Sequence, residues 1–237
     1  MTDEDIWYFR HNGFHRLAQQ LDGPTLRRLN DVTDAQIASM QEPIVWEDDL
    51  PKCPDHVRRL SKVLHRDPIY MQAAQTPAIL DALEGILGPN IELITNKHNH
   101  LMVRPAGSNP VYWHAGEEPW DPVLITVLIY LEESTLDNGC IRLVPGSHQR
   151  PFPWPRRPGK DFYGSALFGR SVPFPMPAGG VLLFNDCCFH GADTNHTRGS
   201  RRSMTLGYRA HDAHDVGKED PEKILVRGER VYTGHPR

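Results

Sequence analysis

The feature that most constrains the fold is a series of short, strand-like apolar runs that begins at residue 91 and is interrupted by turn residues. Short strands at this regular spacing are typical of all-β sandwiches and jelly rolls. The chain also has 19 glycines and 21 prolines in 237 residues, which is rich for a helical bundle. The predicted strands cover residues 91–104, 111–115, 123–131, 140–144, 180–184 and 203–210.

The first ninety residues predict helices instead. Thr2 and Asp5 form a capping-box pattern, and Asn12-Gly13 is a suitable helix end. Pro24 suits the first turn of a second helix, and the apolar period of residues 77–87 predicts a third. We expect a single domain over residues 1–237, built from a mostly helical support (1–90), a β core (91–210) and a polar tail or lid (211–237).

Charge and composition exclude several classes of protein. There are 26 Lys and Arg residues against 30 Asp and Glu, a net charge of −4, which argues against a nucleic-acid polymer as partner. No apolar run reaches the roughly 18 residues of a membrane span, and the acidic start shows no secretory signal. We therefore expect a cytoplasmic protein with no membrane partner. The four cysteines show no CxxC spacing and are predicted to be reduced.

Two histidine segments are candidates for a metal site, and imidazole is a common ligand of transition metals. His114 follows a strand-like run, and residues i and i+2 of a strand share a face, but the residue two positions later is Gly116. His190 follows another such run, and Arg201 and Arg202 stand eleven and twelve residues after it, where a further strand begins. The pattern predicts a second metal ligand at His190 and a guanidinium that binds an anion at Arg201 or Arg202.

The sequence resembles the phytanoyl-CoA dioxygenase-like family of Fe(II)/2-oxoglutarate oxygenases. The segment DNGCIRLVPGSH, residues 137–148, matches the family's central signature closely, and YFRHNGF, residues 8–14, looks like its opening. The likeness spans most of the chain and is strongest over residues 98–210. It implies a double-stranded β-helix, which is a jelly-roll, cupin-like fold, and an enzyme that uses Fe(II), 2-oxoglutarate and O2.

The resemblance also implies roles for individual residues. His114 and His190 would hold the iron, and Arg201 would pair with the C5 carboxylate of 2-oxoglutarate. Thr126 aligns with a hydroxyl residue that helps to hold that carboxylate. His98 aligns more loosely with a polar contact to the co-substrate.

Gly116 departs from the pattern of the oxygenases, which carry an Asp or Glu at this position. Glycine removes one negative charge and opens one coordination position, and a chloride ion restores both, so the sequence resembles the halogenase branch of these enzymes. On this hypothesis, the protein chlorinates an unactivated carbon of a freestanding small molecule in natural-product biosynthesis, for example of an antibiotic. The arginines of the β core favour a purine (deoxy)nucleotide monophosphate as that substrate.

Other interpretations of Gly116 remain open. It could be a bulge glycine that lets Glu117 bind iron in a hydroxylase of a small polar metabolite. The chain could be a non-catalytic ligand-binding protein, or a zinc hydrolase, although its spacings match no zinc motif. The sequence leaves the oligomeric state open.

Overall fold

The computed structural model describes residues 1–48, 50–116, 124–149, 165–211 and 222–229. The helices within these residues are α1 (Asp3–Asn12), α2 (Gly23–Ala38), α3 (Pro68–Ala74) and α4 (Pro77–Leu87). The strands are β1 (Phe14–Arg16), β2 (Ile44–Trp46), β3 (Val57–Ser61), β4 (Ile91–Arg104), β5 (Val111–His114), β6 (Ile125–Tyr130), β7 (Ile141–Leu143), β8 (Val172–Phe174), β9 (Val181–Asn185), β10 (His190–Ala192), β11 (Arg201–Ala210) and β12 (Ile224–Arg227).

The strands form two antiparallel sheets. The larger sheet has the order β1-β9-β6-β11-β4-β3-β2, and β12 also pairs with β4. The smaller sheet has the order β5-β10-β7-β8. Two facing antiparallel sheets with crossed connections are the jelly-roll arrangement that the spacing of the strands predicts.

The larger sheet has a different apolar layer on each face, because successive side chains of a strand point to opposite sides. On one face, Val127 of β6 and Leu206 of β11 pack with Leu29 of α2 and Leu83 of α4. On the other face, Leu128 and its strand neighbours pack against the smaller sheet through a second cluster. The helices therefore cover one face of the larger sheet, and the smaller sheet covers the other.

The predicted helices are present with their caps. The Thr2 hydroxyl accepts a hydrogen bond from the Asp5 backbone, the Asp5 carboxylate accepts one from Thr2, and Gly13 ends α1 in a left-handed conformation with φ 86°. Prolines occupy the first turns of α2 and α4. The short helix α3 was not predicted, because seven residues carry too little apolar period.

The first ninety residues also contain three strands that the sequence did not predict. β1 pairs with β9, and β2 and β3 extend the larger sheet beyond β4. β1 and β2 have three residues each, too few for an alternating pattern, so only their partners define them. The predicted tail also supplies a strand, β12, while residues 212–221 and 230–237 lie outside the described residues.

Two predictions from composition concern membrane spans and cysteines. None of the helices in the described ranges has the length and apolar character needed to cross a bilayer. All four cysteines are free thiols, as predicted.

Candidate metal centre

His114 and His190 lie side by side on the smaller sheet. His114 ends β5, His190 begins β10, and the two are register partners with their ring centroids 4.1 Å apart. Nδ1 of His114 lies 2.8 Å from the Tyr112 carbonyl, and Nδ1 of His190 lies 2.9 Å from the Cys188 carbonyl. A carbonyl can only accept, so each Nδ1 carries the proton and each Nε2 has the lone pair that a metal needs.

His190 is in the protonation state that binds metals. Burial, together with the neighbouring His114, lowers the pKa of His190 to about 3. The ring is therefore neutral at physiological pH, and a neutral imidazole is the form that donates to a metal ion.

Gly116 lies against the carboxylate of Asp186. The Gly116 amide donates a 2.7 Å hydrogen bond to the Asp186 carbonyl, which joins the end of β5 to the residue that follows β9. A Cβ atom on residue 116 would lie 1.9 Å from Oδ2 of Asp186 and 2.6 Å from its Cγ. The side-chain space at Gly116, where the sequence led us to expect chloride, is thus next to a carboxylate.

The Asp186 carboxylate is anchored through its Oδ1 atom. His98 Nε2 lies 3.1 Å from Oδ1, and the Thr126 hydroxyl donates to it over 3.2 Å. Burial alone would raise the pKa of Asp186, but the hydrogen bond and charge of His98, with His190 and Thr126, lower it to about 2. Asp186 is therefore an anion at neutral pH.

His98 reaches Asp186 because β4 is irregular at this point. Asn99 pairs with Leu206 and Ile94 with Gly207, so residues 95–98 form a bulge between two regular halves of the strand. His98 has a positive φ of 46°, a conformation that costs energy in a residue with a side chain. Strained residues of this kind concentrate at functional sites.

These groups line a cavity of about 700 Å3. Asp186 is the only acidic residue among the described lining residues, whereas the basic ones are Arg59, Lys62 and Lys97 together with His98, His100, His114 and His190. Within the described ranges, no three His, Cys, Asp or Glu side chains converge closely enough to hold a metal ion in their present positions.

Arg201 lies on the inner face of the larger sheet, opposite Arg104 of β4. Both side chains are buried. Arg201 donates through Nε to the Asn138 carbonyl at 3.3 Å, and Arg104 donates through Nη2 to the carbonyls of Asn109 and Asp193. Burial and the charge of Arg201 lower the pKa of Arg104 to about 10.

Among the described residues, neither guanidinium forms an ion pair with a carboxylate within 4.0 Å, and Glu47, Asp193 and Glu132 act on the two arginines only from farther away. The Nε of Arg104 is buried without a hydrogen-bond partner there. Two adjacent buried cations are costly unless an anion neutralises them. The pair therefore fits the far carboxylate of a dicarboxylic acid.

The structure brings most of the sequence-predicted residues together but separates two of them. His98, His114, Gly116 and His190 share the cavity, and Thr126 touches it through Asp186. Thr126 pairs with Gly207, six residues along β11 from Arg201. At about 3.3 Å per residue this is roughly 20 Å. Thr126 is therefore too far from Arg201 for both to hold the same carboxylate, which contradicts the role that the resemblance implies for Thr126. Glu117 falls outside the described residues.

Sequence reasoning missed Asp186, and it counted Arg104 only among the arginines of the β core without pairing it with Arg201. Asp186 stands four residues before His190 at the end of a predicted strand, and that position was the available signal. Arg104 ends the long strand β4, but only the antiparallel register places it beside Arg201. Two imidazoles near a carboxylate are ligands that suit Fe(II), so the donor chemistry fits the metal that the resemblance implies.

Known proteins resemble this chain over most of its length. The model of the phytanoyl-CoA dioxygenase (PhyH) family matches residues 9–203. Human peroxisomal phytanoyl-CoA dioxygenase is 24% identical over 253 aligned residues, which cover 99% of this chain and 70% of that protein.

Two solved structures share the fold and confirm the predicted jelly roll. EctD from S. alaskensis with bound Fe has a TM-score of 0.76 at 19% identity and covers 97% of this chain and 87% of its own. The epimerase SnoN in complex with Fe3+, alpha ketoglutarate and nogalamycin RO has a TM-score of 0.73 at 17% identity and covers 96% of both chains. Because the family match extends over most of the sequence, this chain belongs to the phytanoyl-CoA dioxygenase family.

Proposed function

We propose that the protein is an Fe(II)- and 2-oxoglutarate-dependent oxygenase that hydroxylates a small anionic molecule. The observation that carries the proposal is the histidine pair at the cavity, with ring centroids 4.1 Å apart and both Nδ1 atoms held by backbone carbonyls. EctD with bound Fe and SnoN with Fe3+ and alpha ketoglutarate support it from related folds.

His114 and His190 hold the iron, and Arg201 holds the C5 carboxylate of 2-oxoglutarate with help from Arg104. When bound, iron and 2-oxoglutarate supply the oxidising power, drawn from O2, that breaks a C–H bond. The protein residues orient the co-substrate and exclude water from it, because both guanidinium groups are buried. A zinc hydrolase or a simple binding protein has no evident use for this buried cationic pair.

The charge of the cavity supports an anionic substrate. Arg59, Lys62 and Lys97 are among its lining residues, and Asp186 is the only acid among the described ones. A phosphate or carboxylate group is the chemical complement of such a lining. A nucleotide monophosphate satisfies this requirement, and its base would occupy part of the cavity of about 700 Å3.

Hydroxylation is favoured over chlorination by the charge next to Gly116. A chloride ion at that position would lie against the Asp186 carboxylate, whose pKa is lowered to about 2 and which is therefore ionised. Two anions in one buried site repel each other strongly. Chlorination is the second candidate, and the observation that favours it is Gly116 itself, since that residue brings no carboxylate of its own.

The test is a turnover assay with the purified protein, Fe(II), 2-oxoglutarate and a panel of nucleotide monophosphates, amino acids and small organic acids. We expect succinate formation that requires iron and a product heavier by one oxygen atom, both seen by mass spectrometry. Running each assay with and without chloride separates the two candidates, because only a halogenase gives a chlorinated product. Absence of iron-dependent succinate formation with every compound would reject the oxygenase proposal.

A further inference from the structure

Asp186 and Gly116 lie against each other where two strands end. Asp186 follows β9, Gly116 follows β5, and the Gly116 amide bonds to the Asp186 carbonyl at 2.7 Å. A Cβ on residue 116 would lie 1.9 Å from Asp186 Oδ2, a distance that no pair of such atoms can adopt. A side chain at 116 and the Asp186 carboxylate in its present position therefore exclude each other.

The two oxygens of Asp186 have different surroundings. Oδ1 accepts hydrogen bonds from His98 Nε2 and from the Thr126 hydroxyl. Oδ2 has no hydrogen-bond partner among the described residues and faces Gly116 in the cavity that His114 and His190 also line. A monodentate carboxylate ligand has this arrangement, in which one oxygen binds the metal and a hydrogen bond orients the other.

We infer that Asp186 Oδ2 supplies the carboxylate ligand of the iron held by His114 and His190, so that the carboxylate comes from the end of β9 instead of from residue 116. The inference rests on the proposed function, because it needs the iron. His98 and Thr126 then act as positioning residues that hold Oδ1. The donor set of two imidazoles and one carboxylate is complete, and its net charge suits a divalent cation.

With Asp186 as the ligand, the glycine at residue 116 has a reason that requires no halide ion. The absence of a side chain at residue 116 is the condition that lets Asp186 approach the histidines, and the lost carboxylate is replaced from another strand. In their present positions the three side chains, which all belong to the described residues, do not yet converge. Because residue 116 carries no side chain, Oδ2 has room on that side to move toward the histidines while His98 and Thr126 keep hold of Oδ1.

The first experiment measures Fe(II) affinity by anaerobic calorimetry in the absence of 2-oxoglutarate and substrate. We expect Asp186→Asn to weaken iron binding by about tenfold or more, because the amide keeps the shape of the side chain but removes its charge. Asp193→Asn is the matched control. Asp193 lies three residues after His190, and its side chain is 58% exposed and pairs only with Arg142 among the described residues. The iron affinity of this variant should therefore stay at the wild-type value.

The second experiment moves the carboxylate back to residue 116. Gly116→Asp alone should weaken iron binding, since the new side chain collides with Asp186. The double variant Gly116→Asp/Asp186→Ala removes the collision and supplies a carboxylate at the other position, so it should recover most of the lost affinity. Recovery in the double variant is the result that a merely structural role for Asp186 does not give.

The third measurement uses the wild-type protein alone and so does not depend on the folding of any variant. With Asp186 as ligand, iron affinity stays the same when chloride is replaced by a non-coordinating anion, whereas a vacant position at Gly116 makes chloride strengthen binding. Chloride-dependent affinity, or wild-type affinity in folded Asp186→Asn, overturns the inference and leaves the oxygenase proposal intact. Failure of wild type to bind iron at all rejects the oxygenase proposal itself.

Discussion

Arg201 and Arg104 face each other across two adjacent strands, β11 and β4, and both guanidinium groups are buried between the sheets. Buried like charges destabilise a fold unless a counter-ion joins them. The arrangement has a direct chemical consequence, namely that a carboxylate entering this space forms charge-assisted hydrogen bonds in a medium with little water.

Arg201→Ala should therefore raise the 2-oxoglutarate concentration needed for half-maximal turnover. Removing one partner of a buried charge pair costs about 2–5 kcal/mol, which corresponds to a rise of about 30-fold or more. Arg202→Ala is the matched control, because Arg202 pairs with Asp34 and Glu132 outside the cavity. Equal effects of the two substitutions would show that the anchor is not Arg201.

His114→Ala and His190→Ala should each abolish iron binding and 2-oxoglutarate turnover. Either substitution leaves a single imidazole at the site, which is too few donors to hold a divalent metal with useful affinity. Metal content after anaerobic loading and gel filtration is the measurement, with succinate formation as a second readout. His148→Ala is a suitable control, because His148 Nε2 donates to the Arg10 carbonyl near α1. Full iron content in either site variant would show that the metal centre is elsewhere.

Arg59→Glu should raise the Michaelis constant for the anionic substrate about tenfold or more. A charged hydrogen bond contributes about 1.5–3 kcal/mol, and reversal of the charge adds repulsion. The Michaelis constant for the co-substrate should change less, because β4 separates Arg59 on β3 from Arg201 on β11.

Arg58→Glu serves as the control for this substitution. Arg58 is the adjacent residue of β3, but its guanidinium pairs with Asp48 at 2.9 Å and does not line the same cavity. If both variants keep the wild-type Michaelis constant for the substrate, the basic lining does not bind the substrate.

Gly13→Ala should lower the stability of the protein, although Gly13 lies outside the metal site. Gly13 has φ 86°, and a left-handed conformation costs a residue with a side chain about 1–2 kcal/mol. The new Cβ would also lie 2.5 Å from Nδ1 of His148. We expect Tm to fall by roughly 2–8 °C in a thermal melt. Gly199→Ala, where a Cβ meets nothing within 4 Å, should leave Tm unchanged.

The sequence predicts those helices and strands that a continuous stretch of residues is enough to identify. β4 spans Ile91–Arg104 as predicted, and α1 keeps its predicted capping box, because long strands and caps carry their own pattern. Strands of three residues such as β1 and β10 exist only through their partners, so no local pattern reveals them.

The same distinction applies to the site. The two histidines and Arg201 follow from motifs that are continuous in sequence. Asp186 and Gly116 become neighbours only when the ends of β9 and β5 meet, so their relationship is a property of the packed sheets. The sequence therefore led to a halide at Gly116, whereas the structure places a carboxylate beside that position.

The two outermost strands of the larger sheet, β1 and β2, have only three residues each. An edge strand offers unpaired amides and carbonyls to other chains, and a long flat edge promotes self-association. Here the long strands β4 and β11 lie inside the sheet and only short strands lie at its ends. Another copy of the chain therefore has few free backbone groups with which to pair. A truncated protein that begins after Arg16 would lose β1. The backbone edge of β9, which β1 normally pairs with, would then be exposed, and this strand ends next to Asp186. Such a truncation should aggregate before it loses its secondary structure.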